Sequence, residues 1–318
     1  MSEPSLLVLK RPFPDTRSYI LPGDPMSCVI RLVEPSSREV SGLMGQRIYE
    51  LEQAGFTIRH EPMPVDWRWP ITSASAALRA KTLTNALLDP DVEFVLCARG
   101  GQGASDLLPL LPWEALRHTR PKTLVGFSDI TALHSALYTQ LGWSGIHGPV
   151  PATRAWPQGR DAIFSLLRGE TRTGEIAVES LEPVERNPAI KGWLFGGNLA
   201  VLGNLIGTPY FPRSLEGGIL FLEDISESPG RILRIWNQFL QSQVLAGVQA
   251  VVVGTLTEMP GSISALEVKQ EMARRTPQTP FYSSSDFGHI PRNLPIWIQA
   301  TAEIQNSTLV WQKGNALT

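Results

Sequence analysis

VEFVLCARGG (residues 92–101) and KTLVGFSD (residues 122–129) decide the fold, because each is a short apolar run that stops abruptly in glycine or serine at its carboxyl end. Such runs, too short for helices and bounded by turn formers, read as strands covered on both faces. A helix is expected after each: from Ser105 to Leu116 behind the first, and from Ile130, with Leu133, Leu137 and Leu141 on one face, behind the second. The same alternation precedes them. CVIRLVEPSS (residues 28–37) reads as a strand halted by Pro35, Ser36 and Ser37, and in residues 41–56 Leu43, Met44, Ile48, Leu51 and Ala54 recur at helical spacing before Gly55. AALRAKTLTNALLDPD (residues 76–91) repeats the helix signal and stops at Pro90. Strand alternating with helix predicts an α/β domain built on a parallel sheet.

Working outward, residues 1–26 carry five prolines and no sustained period, so an irregular arm is expected there. Residues 169–191 are polar and aperiodic, and read as a linker or hairpin between two lobes. Beyond them come a helix near Asn198 to Ile206, the strand GGILFLED (residues 217–224), a helix from Arg231 to Val244 and the apolar strand VQAVVVGTL (residues 248–256). LPIWIQATAEI (residues 294–304) and STLVWQ (residues 307–312) alternate apolar with polar and read as paired antiparallel strands. The expected division is an N-terminal α/β lobe over residues 1–168, the linker at 169–191, and a smaller C-terminal α/β lobe over residues 192–318.

Composition removes several classes. The 318 residues are 42% hydrophobic, with 28 Lys+Arg against 30 Asp+Glu, which excludes a disordered or disulfide-scaffold chain. No basic cluster exceeds pairs such as Arg274 with Arg275, so nucleic acid is not an expected partner. No segment approaches the roughly 18 apolar residues of a membrane span, and the first residues lack a signal-peptide pattern. The only cysteines, Cys28 and Cys97, sit in apolar stretches, as buried thiols of a reducing compartment do. A cytoplasmic protein is expected.

Chemistry at a parallel sheet is sought at the strand ends. Ser128, in VGFSDIT, stands between a strand and a helix, where a tight turn projects its hydroxyl from the sheet. Ile130 occupies the second glycine position of GxSxG, so this is half of a nucleophile elbow, and on local pattern alone a plain helix N-cap is the favoured reading of Ser128. Glu223 follows an apolar strand, where an acid either orients a histidine or starts the next turn, and its neighbours Asp224 and Glu227 could do the second job. His289, in DFGHIPRN, lies in a loop that can approach a cleft; His147, in GIHGPV, is its rival. RGGQGAS (residues 99–105) lacks the phosphate-loop pattern and reads as backbone making a close approach, whose N–H groups could face an oxyanion. With no HExxH and no CxxC, neither a metal nor a cofactor is expected. Trp193 beside its glycines reads as packing rather than as a groove wall.

Taken in order, EPSS (residues 34–37), LCARGGQGASDLL, PKTLVGFSDITALH, HGP (residues 147–149), GGNLAVLGNLIGTPYFP, GGILFLEDISESPGRI and FGHIPRNLPIW resemble the cytoplasmic serine LD-carboxypeptidases, whose muramoyltetrapeptide carboxypeptidases act on peptidoglycan fragments and whose relatives include the microcin C immunity peptidases. The resemblance implies two lobes with the site in the cleft between them. It implies Ser128 as nucleophile, Glu223 and His289 as the rest of a triad, and the backbone N–H groups of Gly101 and Asp129 as the oxyanion hole. It implies a small peptide substrate, a murein tetrapeptide ending in D-alanine, with a peptide–nucleotide amide as the alternative and a non-catalytic two-lobed binding protein as the rival from another class. A homodimer is also in keeping with it. Three departures bear on substrate preference: Gln102 replaces the aromatic residue of RGGYG, Trp297 replaces the glycine of LPLG, and the loop from His289 to Leu294 is short.

Overall fold

Strands that are apolar along their whole length need cover on both faces, and the chain supplies it with helices. The computed structural model describes residues 28–64, 71–181 and 189–314. The arm expected at residues 1–26, and residues 182–188 of the expected linker, lie outside the described residues. The first sheet contains β1 (Val29–Val33), β2 (Thr57–His60), β3 (Phe94–Cys97), β4 (Thr123–Gly126) and β5 (Gly145–His147), all parallel, in the order β2-β1-β3-β4-β5. This is a doubly wound arrangement whose direction of winding reverses between β1 and β3, the place where such sheets leave a crevice at the strands' carboxyl ends.

Helices α1 (Met44–Gln53), α2 (Ala76–Leu88), α3 (Trp113–Arg117), α4 (Thr131–Leu141) and α5 (Trp156–Leu167) accompany this sheet. The side chain of Ser75 caps α2 and left-handed Gly142 ends α4, as the sequence signals require. The single helix expected from Ser105 to Leu116 is instead a 3-10 turn, Ser105–Leu110, followed by the short α3. Pro109 and Pro112 are the reason, since each removes an amide the helix would need. Helix α5 carries no expectation from its pattern, because Pro157 and Gly159 interrupt it. In the structure the proline stands in the first turn, where its missing N–H costs nothing, and Gly159 lets Pro149 pack against the helix.

The second sheet has eight strands in the order β6-β14-β13-β8-β9-β10-β11-β7. These are β6 (Thr173–Ala177), β7 (Glu179–Ser180), β8 (Ile190–Asn198), β9 (Gly218–Ile225), β10 (Ala250–Thr257), β11 (Phe281–Ser283), β13 (Thr301–Gln305) and β14 (Thr308–Gln312), and β8 to β11 run parallel. Strands β6 and β7 lie inside the stretch read as a linker. They are consecutive in the chain yet pair with opposite edges of the sheet, β14 and β11, so one extended segment draws the two edges together. Helices α6 (Leu199–Leu205), α7 (Pro229–Gln241) and α8 (Ala265–Arg274) cover it. Trp236 of α7 is fully buried, stacks on Phe239 and donates its indole N–H to Met272 O at 3.1 Å, so its polar handle is satisfied.

The lobes share a strand. Within residues 294–304, expected as one strand paired with its neighbour, β12 (Ile296–Trp297) joins the first sheet antiparallel to β5, and only β13 pairs with β14. The switch occurs around Gln299, whose φ of 69° breaks the strand. Trp297, one of the departures expected to bear on substrate preference, is 2% exposed, with Lys313 Nζ 4.1 Å from its ring centroid, and lines neither cavity that Ser128 lines. No helix among the described residues is long and apolar enough to cross a membrane.

Gly196 sits where β8 is pressed onto β9: at φ 157° an added Cβ would overlap the carbonyl oxygen of Phe221. Backbone cannot yield as a side-chain tip can. Gly196→Ala is therefore expected to cost more than about 2 kcal/mol and to lower Tm by several degrees, and thermal unfolding at an unchanged Tm would contradict this packing.

Candidate active site

Apart from His289, which a loop carries, the site residues lie at or just beyond the carboxyl ends of strands. Ser36 follows β1, the glycine run follows β3, Ser128 follows β4, Asn198 ends β8, and Glu223 with Asp224 ends β9. Ser128 has φ 62°, the left-handed region that ordinary residues avoid at a cost of roughly 1–3 kcal/mol. The surroundings hold it there. A Cβ on Gly126 would strike Ile130, so Gly126 is what lets Ile130 fold back over the turn, and the second glycine of GxSxG is not needed. A Cβ added to Gly100 would overlap Phe127 O and the Ser128 Cβ, so only a glycine lets this loop close the turn from the other side. Ser128 makes no cap: neither the 3-10 turn Ser128–Ile130 nor α4 has a side-chain cap at its start, so the N-cap alternative is set aside.

Its hydroxyl instead meets His289. Ser128 Oγ lies 3.0 Å from His289 Nε2, and His289 Nδ1 lies 2.6 Å from Glu223 Oε2. A carboxylate only accepts, so Nδ1 carries the proton and Nε2 is left to accept from the serine. Burial works against a charged ring at His289, but the charge and hydrogen bond of Glu223, with smaller help from Asp224 and Glu258, outweigh it and raise its pKa. The loop bearing His289 is fixed by Asn293, whose Oδ1 accepts from Gly288 N at 3.1 Å, and by Leu294 N donating to Asp286 O at 2.9 Å.

Three polar residues that the sequence left without a role tie the strand ends together. Asn198 Nδ2 donates to Asp224 Oδ1 at 3.0 Å and, more weakly, to Glu223 Oε1 at 3.5 Å, while its Oδ1 caps α6. Thr131 Oγ1, at the start of α4, accepts from Asn198 N at 3.0 Å and so joins the lobes. Ser36 Oγ donates to Asp129 Oδ2, which also accepts from Ala104 N at 2.9 Å; the Asp129 side chain thus fastens the β1 and β3 loops to the elbow. Burial raises the pKa of Asp129. Asp224 is pushed up to about 6 by burial and then by the charge of Glu223. The signal for Asn198 and Thr131 was only that each opens a helix, which cannot tell a cap from a bridge.

The backbone N–H groups of Gly101 and Asp129 donate no hydrogen bond within the described residues, and an added Cβ on Gly100 would come within 3.3 Å of Asp129 N. The glycine loop and the elbow therefore present free amides side by side. His147, the rival, is fully buried behind Glu223, with Nε2 3.9 Å from Glu223 Oε1. Burial, reinforced by His134 and His289, pushes its pKa well down, so the ring is neutral and off the cleft wall. Trp193 packs on Tyr138 and Phe195.

Ser128 stands between two cavities, of about 850 and 520 Å³, and both are lined by Gly101 and Ser128. Gln102 and Asp129 line only the larger, and His289 only the smaller. A serine hydroxyl bonded to a carboxylate-oriented imidazole, beside two free amides, is equipped for nucleophilic attack on a carbonyl.

Comparison with known proteins agrees in class. A model described as the LD-carboxypeptidase N-terminal domain matches residues 30–148, and one described as the LD-carboxypeptidase C-terminal domain matches residues 191–304. A Streptomyces coelicolor relative is 41% identical over 184 residues, 56% of this chain and 57% of its own length. The murein tetrapeptide carboxypeptidase of Pseudomonas aeruginosa is 28% identical over 299 residues, 90% of this chain and 96% of that one. The crystal structure of muramoyltetrapeptide carboxypeptidase from Oxalobacter formigenes superposes with a TM-score of 0.76 at 25% identity, covering 91% of this chain and all of that one.

The hydrogen bonding around His289 makes a prediction that needs no substrate. In an NMR titration its ring is expected to lose its proton above the usual 6.5. In Glu223→Gln, with the carboxylate charge removed and burial left to dominate, the midpoint is expected to fall; an unmoved midpoint would deny Glu223 its part.

Proposed function

The chain belongs to the LD-carboxypeptidase family, and on that premise we propose that it is a serine peptidase of the cytoplasm that removes the terminal D-alanine of murein tetrapeptides. The bond cut joins that D-alanine to the L-centre of meso-diaminopimelate or lysine, a step in recycling wall fragments. The observation that carries the reading is the unbroken chain of hydrogen bonds from Ser128 Oγ through His289 to Glu223, at 3.0 and 2.6 Å.

In this reading His289 Nε2 takes the proton of Ser128 as its oxygen attacks the carbonyl, and Glu223 steadies the imidazolium that results. The amides of Gly101 and Asp129 stabilise the oxyanion, and the loss of one such donor typically raises the barrier by about 2.7 to 4 kcal/mol. His289 returns the proton to the leaving amine, and water, activated by the same ring, then frees the acyl group from Ser128. The raised pKa of His289 sets the pH dependence. A protonated ring cannot accept, so kcat/KM climbs about tenfold per pH unit below that pKa and levels off above it.

A murein peptide is favoured over a peptide–nucleotide amide because the P. aeruginosa relative, named for murein tetrapeptide, matches along 90% of the chain. The two substrates are separated by mass spectrometry after incubation with each amide. Ser128→Ala is expected to lower D-alanine release by about four orders of magnitude or more while the protein unfolds at its usual temperature; substantial turnover by the variant would sink the proposal.

A further inference from the structure

The two cavities flanking Ser128 differ in which part of the proposed machinery they touch, and this orients the substrate. His289 lines only the smaller cavity, and its ring must hand a proton to the departing nitrogen, so the leaving residue belongs on that side. Asp129, one of the two oxyanion donors, lines only the larger cavity, which receives the acyl portion. From this the geometry points to the 520 Å³ cavity as the subsite of the leaving amino acid, with Arg154 and Arg99 holding its free carboxylate. The inference rests on the serine-peptidase reading above and extends it from the bond cut to what makes the enzyme an exopeptidase.

The charges in that cavity fit one class of leaving group. Arg154 is exposed and makes no hydrogen bond or ion pair within the described residues, so its guanidinium is free to meet a ligand. Arg99 is half-buried and uses Nη1 on Arg38 O at 2.9 Å, which anchors the side chain and leaves further donors. A guanidinium fork suits a carboxylate, and a C-terminal amide offers it no charge. Phe127, Ile290 and Pro291 add apolar wall for a small side chain. Glu258 is the one acid on the lining; it accepts from Ser226 Oγ at 3.3 Å and penalises a leaving residue with an acidic side chain. The subsite therefore takes a single amino acid with a free carboxylate and a small uncharged side chain.

Two measurements test this. The first compares kcat/KM on a murein tetrapeptide and on the same peptide with its D-alanine amidated. The free acid is expected to be preferred by about tenfold or more, and Arg154→Met is expected to bring the ratio toward one. Equal rates on acid and amide by the unaltered protein, or a ratio unchanged in Arg154→Met, would overturn the subsite and leave the reaction standing. The second follows D-alanine and D-alaninamide binding to Ser128→Ala by NMR. D-Alanine is expected to perturb the cavity residues and the amide is not, with the effect lost on adding Arg154→Met. Binding of that pattern, with no tetrapeptide cleavage by the unaltered protein, would uphold the subsite and overturn the proposed reaction, and no distinction between the two ligands would overturn the subsite.

Discussion

A single contact makes demands on the whole chain: Ser128 Oγ and His289 Nε2 are 3.0 Å apart although 161 residues separate them, and they are carried by different lobes. A hydrogen bond of that length tolerates only tenths of an ångström of drift, so the lobes have to be locked in register. The lock begins with backbone. Strand β12, which comes from the C-terminal part of the chain, completes the first sheet beside β5, and a slip of one residue there would turn its side chains to the wrong face. Asn198 N and Thr131 Oγ1 make a second tie, and Gly197 is needed beside it because a Cβ there would overlap the Thr131 side chain. The segment from β6 to β7 joins the two edges of the second sheet, which stiffens the body that carries Glu223 and His289.

Electrostatics imposes the next constraint. Glu223 and Asp224 are adjacent acids, 0% and 3% exposed, and two such charges would be costly without partners. The fold divides them between tasks. Glu223 faces His289, while Asp224 is spent on backbone, accepting from Ala200 N at 2.9 Å and Ile225 N at 2.8 Å. Asn198 is the hinge between the two, with one amide group shared by both carboxylates. The neutral ring of His147 behind Glu223 adds bulk without adding charge.

How legible these features were depended on their range. The strands β3, β4, β9 and β10 contain apolar runs bounded by turn formers, and β1 contains one broken only by Arg31, so local pattern located them. Strand β2, four residues at a sheet edge with none of them buried, and β5, three residues long, are too short to carry a period. The helix expected at Ser105 to Leu116 ignored what Pro109 and Pro112 forbid. At the site, glycines and a serine at strand ends marked the right turns, but Ser128 as a cap and Ser128 in an elbow are identical at the level of pattern; a φ of 62° separates them.

By itself, then, the sequence determined the α/β alternation, the places where strands stop, and through its ordered motifs the resemblance to a peptidase family, because these depend on neighbours along the chain. Tertiary structure alone decided that β12 crosses to the first sheet, that Asn198 and Thr131 bridge the lobes, that His147 lies behind Glu223, and that Ser128 stands between two cavities. Each of those is a meeting of groups tens to hundreds of residues apart, and the separation of side chains in space is set by sheet order and lobe docking, which leave no local period to read.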